Sequence, residues 1–408
     1  MTVTLRALQT VVPPTILIQE QVRDIFAAQP GLSRLAQRLV STSFNVSGIE
    51  TRHTVIDELT IDNDAAEPQF FDARQQLLLV PSTRVRNELY ITEATKLFVE
   101  AGRRALAACP DIRPEDVTHV VTVSCTGFYA PGPDYMLVRE LGLNASTQRY
   151  HLGFMGCYAA MPALRTAKQF VEADPSAVVL VVSAELCSLH LRSSSDPDTI
   201  VASSLFSDGA AAGIVSARAL MPGEKALGLD LFETVITPVG EGDMAWKIGD
   251  EGFEMILSTY VPHIIDEHIE GALAPLFARD ASITGQLAAP LPVAAPDLAG
   301  GAVATLVAPV LTLAPAASLS SLIEHWAIHP GGRSILDKTE AKLELRADQL
   351  IPSRETLRTN GNMSSATILF VMKAILDGPA TADGERVCAM AFGPGLTVES
   401  GLMTVIEG

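Results

Sequence analysis

Positive charge is what this sequence most lacks: 29 lysines and arginines stand against 47 acidic residues, a formal net charge of −18. Such a balance repels a polyphosphate, so no nucleic-acid partner is expected. An anionic substrate would need a local basic mouth. Cations gather in the stretch with Arg34, Arg38, Arg52 and His53, although an ordinary solvated face reads the same way. Cysteines are sparse and odd in number. Cys109, Cys125, Cys157, Cys187 and Cys388 form no CxxC pair, which argues against a disulfide framework or a zinc site. The opening MTVTLRALQTVVPP lacks the charged start and long apolar run of a secretory leader, so a cytoplasmic protein is expected. One uncharged run, Leu298 to Ile323, is long enough to cross a bilayer, but Gly300, Gly301, Pro309 and Pro315 break it. It reads as buried strands or loop, and no integral membrane span is expected.

What is present is apolar material. Hydrophobic residues make up 48% of 408 residues, charged residues 19%, and mean hydropathy is +0.27. That suits a large core in two or three average domains or in one fused pair of similar halves. It also suits a buried subunit interface, so an obligate oligomer is expected.

Two segments read as one unit written twice. From Asp116 to Val171, the β-branched run THVVTVSCTG precedes the helical pattern MLVRELGL, and GFMGCYAAMPALRTAKQFV passes into an amphipathic helix. From Leu322 to Ile375, LIEHWAIHPGG is a strand ending in a glycine turn, and ILDKTEAKLEL is helical. GNMSSATILFVMKAIL then enters a helix through small and hydroxyl residues. Between them AVVLVVSAEL and SSLFSDGAAAGIVSA look like central strands, the latter with Asp208-Gly209 as a tight turn. Alternating strands and helices predict an α/β structure of two duplicated halves, mostly parallel sheets layered with helices. The polar, turn-rich Ala217 to Gly228 places the boundary, giving halves 1–222 and 223–408. An Ala- and Pro-rich insertion occupies about 281–320, long enough to be a lid or tunnel wall.

Cys157 lies in GFMGCYAA, where an apolar strand becomes a helix. Unpaired N–H groups and the helix dipole favour a thiolate there, and Gly156 permits the sharp turn. His329 ends the strand Trp326-Ala327-Ile328 before Pro330-Gly331-Gly332, at a strand's carboxyl end where catalytic groups collect. Asn362, in Asn360-Gly361-Asn362-Met363, occupies the equivalent turn of the second unit and taken alone would be a cap or turn residue.

Together these residues resemble the Cys-His-Asn centre of the type III polyketide synthases, the chalcone synthase-like family of the thiolase superfamily. GFMGCYA resembles the nucleophile segment, WAIHPGGRSILD the histidine segment, NGNMSSATILF the asparagine segment, and FGPGLTVE the terminal signature, with weaker likeness in CTGFYAPGPDY and LFSDGAAAGIV. The resemblance implies a thiolase fold of αβαβα layers. It implies that Cys157 takes an acyl group from an acyl-CoA starter, with His329 as ion-pair partner of the thiolate. His329 and Asn362 would donate to the enolate left when malonyl-CoA loses CO₂. CoA thioesters would be the substrates, with no metal or organic cofactor. Phe206 matches an aromatic gatekeeper between CoA channel and cavity, and Met255 stands where the second gatekeeper is usually Phe. Cys187, His190 and Ser364 match cavity-lining positions, and Arg52 belongs to the basic stretch.

The family usually has a Gly-rich stretch after the nucleophile, whereas Ala159, Ala160, Met161 and Pro162 follow here, and the 281–320 segment is extra. Both departures bear on the acyl tunnel. With Met255 at the gate they favour a medium or long fatty acyl starter giving an alkylpyrone or alkylresorcinol over an aromatic starter. A β-ketoacyl-ACP synthase of the initiating type shares the three roles, but HPGG and FGPGLTVE point away from it, and an acidic chain offers little basic surface for docking a carrier protein. A papain-like hydrolase does not fit the duplication, and an inactive scaffold would lack one of the three groups.

Overall fold

The computed structural model describes residues 1–60, 65–287 and 318–408. Among these, nine strands form one sheet in the order His325–Ile328, Arg386–Gly393, Thr397–Glu407, Lys225–Ile236, Thr4–Val11, Asp208–Ser216, Val178–Leu186, His119–Ser124 and Gln148–Gly153. The halves of this sheet meet over a short seam, where Thr4 and Leu5 pair with Gly228 and Leu227. Val178–Leu186 and Asp208–Ser216 are buried at every residue, which is why they are continuous apolar and small-residue runs rather than alternating ones.

Helices sort into three layers around the two sheet halves. The long helix Thr83–Ala107 covers the outer face of one half, with Tyr90, Ala94, Phe98 and Ala101 in its core. Helices Ala160–Ala173 and Thr367–Leu376 lie between the halves and pack on strands of both. On the far side, Val261–Ala278 and Arg333–Lys342 pack together around Ile264, Leu273 and Leu336. The result is helix, sheet, helix, sheet, helix. Both middle helices follow the loops that carry Cys157 and Asn362, so the layer that must be dry also seats the candidate site.

Three expectations need correction. The sheet is mixed rather than mostly parallel. Only the His119–Ser124 pairings and that of His325–Ile328 with Arg386–Gly393 are parallel. Arg386–Gly393 returns as Thr397–Glu407 through a tight antiparallel turn, which needs no crossover helix. Second, Asp208-Gly209 is not a turn but the start of a strand, and the residues before it close the helix Pro197–Leu205. Gly209 is small for a different reason: a Cβ there would collide with Met363 Sδ. Third, the strand that leads into the Cys157 turn, Gln148–Gly153, is not apolar but lies at the sheet's edge with four exposed residues. Its polar sequence gave no alternating pattern to read.

The 281–320 segment begins in the helix Ala281–Leu287 and ends near the short helix Leu319–Leu322; residues 288–317 lie outside the described residues. No helix among the described residues is long and apolar enough to cross a membrane.

Candidate active site

Cys157 sits in the turn between Gln148–Gly153 and the helix Ala160–Ala173. Two left-handed residues make that turn, Phe154 with φ 60° and Gly156 with φ 84°. At Gly156 a Cβ would stand 2.5 Å from Pro394 Cδ, so only glycine lets the FGPG loop close over the nucleophile loop. The thiol is buried, 8% exposed, and packs with Cys187, Ala202, Phe206 and Met255. Burial pushes its pKa up to about 12, while hydrogen bonds with Ser364 and Asn362 pull it down.

His329 follows the strand His325–Ile328, and its N–H donates to the Met390 carbonyl at 2.8 Å, which extends the pairing with the next strand. The side chain is almost wholly buried, and neither ring nitrogen has a partner among the described residues. Burial pushes its pKa down to about 3, so the neutral ring is favoured in the closed cavity. A buried polar group left unpaired costs on the order of 1–3 kcal/mol.

Asn362 follows the helix Ile351–Asn360 through Gly361, whose φ is 70°. Its Oδ1 accepts the Ser364 N–H at 2.9 Å, and its Nδ2 points to the Gly331 carbonyl at a long 3.5 Å. Gly331 is two residues beyond His329. Asn362 therefore lies between Cys157, whose thiolate it stabilises, and the histidine turn.

The sequences of the N-terminal and C-terminal domains of chalcone and stilbene synthases match residues 2–219 and 296–407. The chain is a type III polyketide synthase. It belongs to the chalcone and stilbene synthase family and is an acyltransferase that condenses malonyl-CoA units onto an acyl-CoA starter. The alpha-pyrone synthesis polyketide synthase-like Pks18 of Mycobacterium tuberculosis is 32% identical to it over 368 residues, 89% of this chain and 81% of that one. Among solved structures, the C-terminal type III polyketide synthase domain of Steely1 from Dictyostelium superposes with a TM-score of 0.80 at 26% identity, covering 99% of both chains. PKS-I from the brown alga Ectocarpus siliculosus, at 24% identity, gives a TM-score of 0.82 over 100% of this chain and 99% of its own, and shares the fold. The layered architecture of this synthase is the thiolase fold.

The other expected site residues fall into separate places. Phe206, Cys187, Met255 and Ser364 line the cavity beside Cys157. His190 stands one chamber further out. Its Nε2 bonds the Thr126 carbonyl at 2.8 Å and its Nδ1 accepts the Phe253 N–H at 3.0 Å, which fixes a neutral ring. Enclosure pushes its pKa down to about 3. Arg52 is no part of a surface mouth: it is fully buried, and donates to the carbonyls of Ser203 at 2.8 Å and Phe206 at 2.7 Å. Arg34 and Arg38 are exposed on the helix Arg34–Val46. Beyond the histidine turn opens a larger cavity of about 320 Å³, lined in part by Leu205, Leu257, Gly331, Arg333 and Lys338.

Two residues escaped the sequence reading. Trp246 lines the Cys157 cavity, and its indole N–H donates to the Cys125 carbonyl at 2.8 Å. Glu185 is fully buried and accepts the Cys125 N–H and the Thr126 hydroxyl, each at 2.9 Å, the Cys125 thiol at 3.4 Å, and the Ser365 hydroxyl. Its signal was present as the one charge in the apolar run AVVLVVSAEL, since a charge inside a buried strand has to be met by donors.

Proposed function

We propose that Cys157 is the nucleophile of this synthase and that His329 and Asn362 stabilise the enolate. The observation that carries the reading is the pair of unpartnered nitrogens on buried His329, beside the loosely held amide of Asn362. Donors left without strong partners are free for an oxygen that appears during reaction.

As Cys157 Sγ attacks the starter thioester, its proton passes to His329. Burial opposes either charge alone, so thiolate and imidazolium form together and offset each other. The Sγ–acyl bond forms, the bond to the CoA sulfur breaks, and CoA leaves as the thiol with that proton. Malonyl-CoA then loses CO₂, and the electron pair of the broken C–C bond moves into an enolate whose oxygen accepts from His329 and Asn362. Its carbon attacks the Cys157 thioester, lengthening the chain by two carbons and releasing the sulfur. Attack of a terminal enol oxygen on a thioester carbonyl closes a pyrone and expels the thiol. No metal or organic cofactor enters any of these steps.

The CoA arm would reach Cys157 past Phe206 from the cavity beside Arg333 and Lys338, with Arg34 and Arg38 outside to meet its phosphates. A fatty acyl starter and an alkylpyrone product are supported by the apolar walls around Cys157 and by the 32% identity to a protein named for alpha-pyrone synthesis; an alkylresorcinol is the other expected product. The chain divides near residues 222 and 223 in this reading. A homodimer is supported by the exposed edge strand Gln148–Gly153, whose free N–H and C=O groups suit a second copy, and the cytoplasm suits a CoA-dependent enzyme with five free cysteines. Incubation with malonyl-CoA and a panel of acyl-CoAs, with mass spectrometry of products and of the digested protein, tests the reading. Acyl adducts on Cys157 and CO₂ release are expected. Their absence with every starter would sink it.

A further inference from the structure

Three of the five cysteines, Cys125, Cys157 and Cys187, line one cavity, and the condensation uses the thiol of Cys157 alone. The cavity has a volume of about 20 Å³, which admits a molecule near the size of water and no bulky oxidant. The other two cysteines lie apart from it. Cys109 bonds Asp111 at 3.5 Å beside Arg6, and Cys388 is buried within the strand Arg386–Gly393.

Ser364 connects Cys157 to Cys125. Its hydroxyl hydrogen-bonds the Cys157 thiol and stands 3.5 Å from Cys125 Sγ, so one hydroxyl separates the two sulfurs. The backbone of Cys125 is held on both sides, its N–H by Glu185 at 2.9 Å and its carbonyl by Trp246 at 2.8 Å, which leaves rotation about Cα–Cβ as the freedom of the thiol. That thiol donates to Glu185 Oε1 at 3.4 Å. Burial, and after it the Glu185 charge, holds Cys125 protonated, so it is not the first to meet an oxidant. Burial also raises the pKa of Glu185, which suits that carboxylate to take up the Cys125 proton. Cys187 has a different setting. It packs with Ala202 and Phe206, and among the described residues its thiol bonds no carboxylate.

We propose that Cys125 is the resolving thiol of a redox pair with Cys157: a peroxide switches the synthase off through a disulfide between them, and a small thiol switches it on again. This rests on the reading of Cys157 as the nucleophile that ionises against His329. The Cys157 thiolate attacks one oxygen of hydrogen peroxide. The S–O bond forms, the O–O bond breaks, and the departing hydroxide takes the His329 proton and leaves as water. Cys125 then gives its proton to Glu185 as its sulfur attacks the Cys157 sulfenic acid. The S–S bond forms, the S–O bond breaks, and the second hydroxide recovers the proton from Glu185 and leaves as water. Two thiols are oxidised to one disulfide, and one peroxide is reduced to two waters. Without a resolving thiol the sulfenic acid goes on to sulfinic acid, which small thiols do not reduce, so the pair keeps the nucleophile recoverable.

The test treats the purified enzyme with hydrogen peroxide and reads intact mass, a non-reducing peptide map, and condensation activity before and after dithiothreitol. Wild type is expected to lose two hydrogens, to show Cys125 and Cys157 in one cross-linked peptide pair, and to regain its untreated activity with dithiothreitol. Cys125→Ser keeps a donor to Glu185 but cannot form the bond. It should gain two oxygens on Cys157 and stay inactive after dithiothreitol, measured against its own untreated rate. Cys187→Ser should still form the cross-link, and prior loading of Cys157 from an acyl-CoA should prevent it. Should Cys125→Ser not fold, the wild-type peptide map decides alone. A disulfide between Cys157 and Cys187, or sulfinic acid on wild-type Cys157 without a disulfide, overturns the proposal. No acyl adduct on Cys157 of the untreated enzyme overturns the nucleophile reading instead, and the peptide map reads the disulfide independently of that result.

Discussion

Phe206 and Asn362 are joined through their backbones. The two form a parallel bridge in which the Asn362 N–H donates to the Leu205 carbonyl at 2.9 Å and the Ser207 N–H donates to the Asn362 carbonyl at 3.0 Å. Gly361 permits this approach: at its φ of 70°, a Cβ would stand 2.9 Å from Arg52 Cγ and 3.1 Å from the Leu205 oxygen. Phe206 and Asn362 thus share one piece of backbone, with buried Arg52 underneath.

Gly361→Ala should accordingly disturb both. The strained φ and the close contact predict a loss of about 1–3 kcal/mol in stability. Because Asn362 shifts with its neighbour, malonyl-CoA decarboxylation by the remaining folded enzyme should fall as well. Chemical denaturation and CO₂ release on the same sample measure the two effects. Full decarboxylation in a destabilised protein would show that Asn362 does not depend on this turn.

Separable roles predict separable losses. Asn362→Ala removes one proposed donor to the enolate and should lower decarboxylation about 10²–10³-fold, while Cys157 still accepts an acyl group. Cys157→Ala should end chain extension but leave part of the decarboxylation, because His329 and Asn362 remain. Intact-mass loading and CO₂ release distinguish the steps. Equal loss of both steps in each variant would contradict the division.

The candidate catalytic positions were more legible in the sequence than the walls around them. Cys157 and Asn362 each follow a glycine in a left-handed turn, Gly156 and Gly361, and His329 follows an apolar strand, so local sequence marked all three as candidates. Trp246 sits in the short hairpin segment MAWKIG, where nothing local tells which face meets Cys157; that depends on pairing with Met255 and on contacts to Cys125, far away in the chain. Arg52 misled for the same reason. It looked like surface charge beside Arg34 and Arg38, but the strand Thr51–Thr54 turns it inward beneath Phe206. Mixed sheet polarity was also hidden, because a buried strand reads alike in either direction.

Arg52 grips two carbonyls from within the core, and its charge faces that of buried Asp208. Arg52→Met keeps the length and loses the donors. It should destabilise the protein by about 1–3 kcal/mol for each buried carbonyl left without its donor. It should also loosen Phe206, seen as faster hydrolysis of the acyl group on Cys157 once water can enter. A variant as stable as wild type would mean that Arg52 is replaceable packing.

Asp208 gives a pH signature with a definite sign. Burial raises its pKa from 3.8 to about 6, despite hydrogen bonds from the Ser188 N–H and hydroxyl and from the Val55 N–H, and despite Arg52. The folded state therefore holds this proton more tightly than the unfolded chain. Its contribution to stability is complete below about pH 4, is lost as pH rises through about 6, and is flat above; the loss is about 3 kcal/mol at most. Asp208→Asn cannot titrate. The stability of wild type minus that of Asp208→Asn should thus fall between about pH 4 and pH 6.5, whichever protein is the more stable at neutrality. Urea unfolding of both across that range measures it, with every other carboxylate common to the pair. A difference that rises with pH would mean that the Ser188, Val55 and Arg52 contacts outweigh burial and keep Asp208 ionised throughout.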